Sequence, residues 1–427
     1  MEIAIILVFI FGYLAITLEH PLKIDKAVSA ILLGVLSWTL YALMGHDFHE
    51  VEHNLHELLP EIMNILFFLL GAMTIVELID IHEGFSVITN RIRATDKRTL
   101  LFTVSLLAFF LSSVLDNLTT AIVMASLLRK LIPHNREDRL VFASIIVIAA
   151  NAGGAWSPIG DVTTTMLWIG NRISAMGIIQ QLFLPSLICL LVPVLGQMMF
   201  MKGTFEAREV KTSFKTNSFE RNLILFLGIG SLIFVPIFKT ITHLPPFMGM
   251  FFGVGVMWLA TELLHRNKPH DDKHLYSTIH ALSRVDTASI LFFFGILAAV
   301  GCLGAIGALE HAATFLNNTV GNLDIIIFLI GILSSVVDNV PLVAAVMKMY
   351  TVEQYPLDSK LWEFLAYCAG TGGSLLIIGS AAGVAIMGIE RIEFFWYAKR
   401  ITLLAFIGYV AGAVAYLGIY WLMGHTH

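Results

Sequence analysis

A chain of 427 residues with 57% hydrophobic and only 13% charged residues, and a mean hydropathy of +0.82, lies outside the soluble globular class, where roughly 25% of residues are charged. The net charge of −5 comes without any Lys/Arg run, which speaks against a nucleic-acid binder. Cys189, Cys302 and Cys368 stand singly in apolar segments, as packing residues do, rather than in a disulfide framework or a thiolate metal cluster.

Apolar windows of about 18 to 22 residues, each able to cross a ~30 Å hydrocarbon core as a helix, recur along the chain and define an all-α polytopic membrane protein. The first, Ile3 to Leu18, lacks a basic n-region and a small-residue cleavage pattern and is expected to be retained. Ala27 to Met44 and Ile62 to Ile79 follow. Residues 99–131 are apolar for too long a stretch to be one crossing, and their centre reads Ser112-Ser113-Val114-Leu115-Asp116-Asn117. A break there leaves two legs of about 15 residues and predicts a re-entrant hairpin with Asp-Asn at its tip. Residues 140–170 are interrupted by Asn151-Ala152-Gly153-Gly154-Ala155-Trp156-Ser157-Pro158-Ile159-Gly160-Asp161, which predicts unwound backbone inside one discontinuous span. After Leu182 to Met201, a polar linker at 203–221 leads to Asn222 to Phe238, Phe247 to Leu264 and Thr287 to Leu309. Residues 324–350 repeat the hairpin pattern around Ser334-Ser335-Val336-Val337-Asp338-Asn339, with Pro341 at a new helix start. Residues 361–389 repeat the broken span around Gly370-Thr371-Gly372-Gly373-Ser374, and Phe394 to Leu422 closes the series.

The two halves are therefore a duplication. Leu111 to Asn117 matches Leu333 to Asn339 at an offset of 222, and Gly153-Gly154 matches Gly372-Gly373 at 219. The first repeat covers 1–202, the linker 203–221, and the second repeat 222–427. An odd number of crossings separates the hairpins, so the repeats are expected to be inverted. Charge placement gives the same topology: 22 of the 26 Lys and Arg residues fall on one side, leaving only Arg172, Lys239, Lys348 and Lys360 on the other. This predicts ten spans plus two hairpins, with the 129–139 loop cytoplasmic and both termini outside the cytoplasm.

Ionisable groups at membrane depth are costly and mark function. Asp116, Asp161 and Asp338 qualify, and Glu77 is a further candidate that could instead pair with Arg91 or Arg93 at the headgroups. Hairpin tips and unwound segments can present oxygen ligands to a hard cation such as sodium. Candidate ligands beside the aspartates are Ser112, Ser113, Thr119, Ser157, Thr163, Thr164, Ser334, Ser335 and Ser374, with the amides of Asn117 and Asn339. Against this, Ser and Thr in helices often only bond back to their own backbone. Gly153, Gly154, Pro158, Gly160, Gly372 and Gly373 mark the helix breaks, although small residues also let helices approach closely. Asp161 has no acidic counterpart, since the repeat places Ser380 there.

His49-Glu50-Val51-Glu52-His53 satisfies HExxH, the signature of a zinc protease. It lies in a short polar loop with His46 and His56 and no structured third ligand, so an interfacial amphipathic helix explains it better. No P-loop is present.

These features, with Leu66-Phe67-Phe68-Leu69-Leu70-Gly71-Ala72-Met73-Thr74-Ile75-Val76-Glu77, resemble the NhaD-type sodium/proton antiporters of the ion transporter superfamily over essentially the whole chain. The resemblance implies exchange of sodium, and of lithium, for protons in a bacterial-type inner membrane, with no cofactor, by an elevator movement in a homodimer. Its dicarboxylate/sodium symporter branch carries Ser-Asn-Thr where this chain has Asp-Asn, which points to a cation as sole cargo. The expected mechanism is competition of sodium and protons for Asp116, Asp161 and Asp338, with Asp161 foremost. A dicarboxylate symporter is the alternative, and a zinc protease the remote one.

Overall fold

The computed structural model describes residues 2–43, 48–89, 92, 94–205, 216–266, 268 and 270–422. Arg91, Arg93 and His46, and Arg208, Lys211 and Lys215 of the linker, lie outside the described residues. Helices of eight or more residues run in the order α1 (Glu2–Thr17), α2 (Lys26–Leu43), α3 (Phe48–Ile81), α4 (Lys97–Leu115), α5 (Asn117–Leu131), α6 (Arg136–Ala155), α7 (Val162–Ile169) and α8 (Ala175–Phe200). They continue as α9 (Ser218–Thr242), α10 (Pro246–Leu264), α11 (Thr287–Ala305), α12 (Ala308–Val320), α13 (Leu323–Leu333), α14 (Asn339–Met349), α15 (Lys360–Gly372), α16 (Ala381–Glu390) and α17 (Thr402–Leu422).

Among the described residues, nine helices are long and apolar enough to cross a membrane, or ten if α12 and α13, bent by 115°, count as one span. The chain is an all-helical, polytopic membrane protein. Its breaks fall where polar or glycine residues interrupt apolar runs: at Asp116 between α4 and α5, at 156–161 between α6 and α7, at 334–338 between α13 and α14, and at 373–380 between α15 and α16.

Several boundaries differ from expectation. The first leg of the 99–131 segment is 19 residues rather than about 15, because Asp96 caps the helix by accepting from the Thr99 amide, so α4 alone is long enough to cross. The 394–422 segment is two helices, Phe394–Arg400 and α17. The amphipathic α12 was unforeseen; Gly307 and Gly321, both at positive φ, delimit it. The HExxH segment is not a separate interfacial helix but the first turns of α3, continuous for 34 residues through Pro60.

Two apolar clusters divide the protein. The smaller is centred on α1, α2, α11 and the first part of α3; the larger unites both pairs of broken segments with α8, α9, α10 and α17. Lipid offers apolar surface as good as another helix, so close backbone approach must hold such helices together. Glycine supplies it where α2 crosses α11: a Cβ on Gly34 would sit 2.5 Å from the Gly295 carbonyl, and Trp38 Nε1 donates to the Ala298 carbonyl at 2.9 Å.

Candidate functional site

The duplicated breaks build duplicated contacts. Ser112 Oγ donates to the Ala150 carbonyl at 2.5 Å, and Ser334 Oγ to the Ala369 carbonyl at 3.0 Å. A Cβ on Gly153 would run into the Phe109 backbone, and one on Gly372 into Gly331, at equivalent positions. Gly160 packs on Ser112 and Ser113, as Gly379 does on Ser334 and Ser335, while Gly154 and Gly373 face Gly160 and Gly379. Glycine here allows one broken segment to lie against the other, backbone to backbone.

Each of the three aspartates stands at the N-terminus of the helix that follows its break. Asp116 Oδ1 accepts from the Thr119 amide at 2.7 Å and Oδ2 from the Thr119 hydroxyl at 2.7 Å. Its φ of 108° is a backbone conformation nearly confined to glycine, a strained geometry of the kind that collects at functional sites. Asp161 Oδ1 accepts from both the amide and the hydroxyl of Thr163 at 2.8 Å, and Oδ2 from Asn117 Nδ2 at 2.6 Å, with Asn339 Nδ2 at 3.4 Å. Asp338 caps α14 and receives Lys26 Nζ on Oδ2 at 2.9 Å. The repeat-related Ser380 caps α16, accepting from Gly383 N at 3.2 Å, so Asp161 and Ser380 hold equivalent cap positions.

These residues meet. A cavity of about 40 Å³ is lined by Lys26, Asp116, Asn117, Asp161, Asp338 and Asn339. It is the size of a few water molecules, against roughly 300 Å³ or more for organic-ligand pockets. Beside it lies a wider vestibule of about 390 Å³, which shares Lys26 and is bordered by Glu19, Asp25, Glu77, Arg284 and Asp286. Glu77 thus stands in the vestibule and not at the aspartate cluster, its carboxylate 3.0 Å from Arg284.

The candidate hydroxyls separate into two groups. Thr119 and Thr163 bond the aspartates, and Ser374 Oγ accepts from Asn151 at 3.1 Å. Ser112, Ser113, Ser157, Thr164 and Ser334 donate to backbone carbonyls, and only Ser113 and Thr164 do so within a local turn. Ser335 is buried at the Gly379 contact, and Pro158 lies in the unwound segment after α6.

Three participants escaped the sequence reading. Asn151, expected to open the unwound segment, is instead helical, because α6 runs on to Ala155; it links the two sets of breaks, accepting from Asn117 at 3.1 Å and donating to Ser374 at 3.1 Å and to Ser380 at 2.8 Å. Lys26, counted only as a loop charge, reaches Asp338 across 312 residues, a pairing no local pattern announces. Glu390 is fully buried between Arg129 and Arg139 at 2.8 and 2.6 Å. The HExxH residues find ordinary partners: Glu50 accepts from Tyr41 at 3.2 Å and His53 pairs with Glu57.

Helices of membrane length, broken at a buried cluster of carboxylates, amides and hydroxyls, define a membrane transporter. A profile of the citrate transporter family matches residues 2–362. The chain is 44% identical to sodium/proton antiporter 1 of Arabidopsis thaliana over 98% of its own length and 73% of that protein. It is 43% identical to sodium/proton antiporter 2 of the same plant over 97% and 99% of the two chains, and 32% identical to the Na(+)/H(+) antiporter NhaD of Vibrio cholerae over 97% and 91%. The chain belongs to the citrate transporter family, on the NhaD-type branch.

Proposed function

We propose that this protein is a secondary sodium/proton antiporter, as its relatives are named, and that sodium and protons compete for the oxygens of Asp116, Asp161 and Asp338. The observation that carries this reading is three carboxylates, each at a helix N-terminus, around a cavity of about 40 Å³. Three negative charges and one ammonium in so small a space suit a bare or partly hydrated cation and oppose a citrate or dicarboxylate anion. Amides at the helix N-termini and the side chains of Thr119, Thr163, Asn117 and Asn339 hold the Asp116 and Asp161 carboxylates in place. Either a sodium ion or protons then offset part of the remaining negative charge, and coupling follows if the carrier crosses loaded but not empty. Lithium, with the same charge and oxygen preference, is accepted too. Proton entry drives sodium out.

In this reading the paired breaks are inverted hairpins and broken spans, residues 1–202 and 222–427 are the two repeats, and the larger cluster moves as an elevator against the smaller one, in a homodimer. The vestibule beside Arg284 opens toward the cytoplasm of a bacterial-type cell, in its inner membrane, with both termini outside.

Dequenching of a pH-sensitive dye in everted vesicles, on adding sodium, lithium or potassium in turn, tests the proposal. Sodium and lithium are expected to dequench it. Proton movement indifferent to every cation, with uptake of labelled citrate or succinate in its place, would establish an anion transporter, in line with the family's description as a citrate transporter.

A further inference from the structure

We propose that Lys26 is the built-in competitor of the transported cation: in the unloaded protein its ammonium holds Asp338 and ties the second break to α2, and a cation binding at Asp338 displaces it. This rests on the antiport reading above. The ion pair joins two bodies. Lys26 opens α2, which is locked against α11 by the Gly34 and Gly295 contacts, and its Nζ also lies 4.4 Å from the centre of the Phe292 ring on α11. Asp338 lies at the break between α13, which packs on α15 in the larger body, and α14, which packs on both α15 and α11 and so stands at the boundary of the two.

Asp338 is also the aspartate with the fewest other donors. Asp161 and Asp116 each accept from an amide and a hydroxyl of the following turn, whereas Asp338 Oδ1 has only Val340 N at 3.5 Å. The ammonium is thus its main counter-charge, and a sodium ion seeking the same oxygen must move it. There is somewhere for it to go. Lys26 lines both the small cavity and the vestibule, where Glu19, Asp25 and Asp286 offer alternative carboxylates. Occupancy by a cation and release of the charged link between α2 and the second break become one event, which adds a barrier to crossing by an empty carrier beside the apolar contact of α14 with α11.

The test uses the purified full-length protein, with equilibrium binding of radioactive sodium and dye-monitored exchange in reconstituted vesicles. Because a charge-assisted hydrogen bond is worth about a factor of ten in an equilibrium, Lys26→Gln is expected to bind sodium about tenfold tighter and to lower the KM for sodium in step. Lys26→Arg, which keeps the charge, should stay near the wild-type affinity. In an Asp338→Asn background, Lys26→Gln should give no gain. In the wild type, saturating sodium, compared with choline, should speed modification of Lys26 by an amine-reactive ester, read by mass spectrometry. Unchanged or weaker sodium binding in Lys26→Gln, or a modification rate indifferent to sodium, overturns the proposal. If Lys26→Gln does not fold, the wild-type modification rate decides. Wild-type protein that binds sodium without exchanging it for protons would refute the antiport reading and leave this one standing.

Discussion

Asn117 donates its amide to Asp161 Oδ2 at 2.6 Å and to Asn151 Oδ1 at 3.1 Å, so both of its hydrogens are committed and the side chain is held in one orientation. Asn151 in turn donates to Ser374 and Ser380. Of the donors in this relay, one Asn117 hydrogen meets the Asp161 carboxylate, and the others run on through Asn151 to Ser374 and Ser380. Asp161→Asn would set its NH₂ against a donor in either orientation, the Asn117 amide or the Thr163 backbone N–H, at a cost of about 1–3 kcal/mol for the group left unpaired. The variant is expected to insert and fold with a lowered melting temperature and to show background sodium-dependent proton movement at every pH. Asp161→Glu, which displaces the carboxylate by about 1.5 Å where ion sites need placement within about 0.5 Å, should retain at most weak exchange. Normal exchange in Asp161→Asn would move the coupling to Asp116 or Asp338.

The glycines at the breaks predict a sharp contrast. At Gly153 and Gly372 an added methyl meets the backbone of Phe109 and Gly331, which cannot swing away as a side chain can. Alanine at either position is expected to cost about 1–3 kcal/mol, or more where the backbone cannot shift. Gly230, inside α9, has nothing within 4 Å of a Cβ, so Gly230→Ala should be neutral or raise stability by up to about 1 kcal/mol. Thermal unfolding of the three purified variants in detergent measures the difference; equal melting temperatures would contradict it.

Glu390, at the end of α16, is completely buried and accepts from Arg129 Nε at 2.8 Å and Arg139 Nε at 2.6 Å. Arg129 also donates to the Ile389 carbonyl. The trio joins α5 and α6 to α16, far along the chain. The two arginines are not equivalent, since the Arg129 side chain is 54% exposed and that of Arg139 17%. Removing one partner of a buried pair leaves an uncompensated charge, worth about 3–5 kcal/mol, so Arg139→Gln should lower stability by about that amount. Arg129→Gln should cost well under half as much, and Arg139→Gln combined with Glu390→Gln should recover most of the loss. A melting series of the three variants reads this directly.

Beyond the end of α3, His82 Nδ1 lies 2.8 Å from the Leu78 carbonyl and must carry the proton it donates there, leaving Nε2 to face His265 Nε2 at 2.9 Å. Burial is the main cause of a His82 pKa lowered to about 4, and it lowers His265 as well; Lys268 and Lys273 add to the effect on His265, against Glu220 and Glu262. The unfolded chain takes up a proton near 6.5, which folded His82 refuses until about 4. Stability is therefore full above about pH 6.5 and declines as the pH falls from there toward 4. His82→Gln should flatten the difference in melting temperature between about pH 7.5 and 5.5. An unchanged difference would assign the acid sensitivity elsewhere.

The positions of the breaks, the three aspartates and the repeat-related glycines were all legible along the chain, because each is a local violation: a polar or flexible residue inside a run that lipid would otherwise keep apolar. Such violations are visible one segment at a time. Boundaries set by caps were less visible, as Asp96 shows by lengthening α4, and so was α12, whose amphipathic pattern resembles a surface loop more than a span.

What the sequence determined by itself, then, was an all-helical membrane protein with duplicated, carboxylate-bearing breaks. Only the tertiary structure decided which polar groups share a cavity. Lys26 and Asp338 are 312 residues apart, Asn151 and Ser380 are 229 apart, and Glu77 finds Arg284 on a distant segment. The physical reason is that a polar group inside a membrane protein must be satisfied by whatever other helices bring within about 3 Å, and that partner is chosen by helix packing, which has no local signature in the chain.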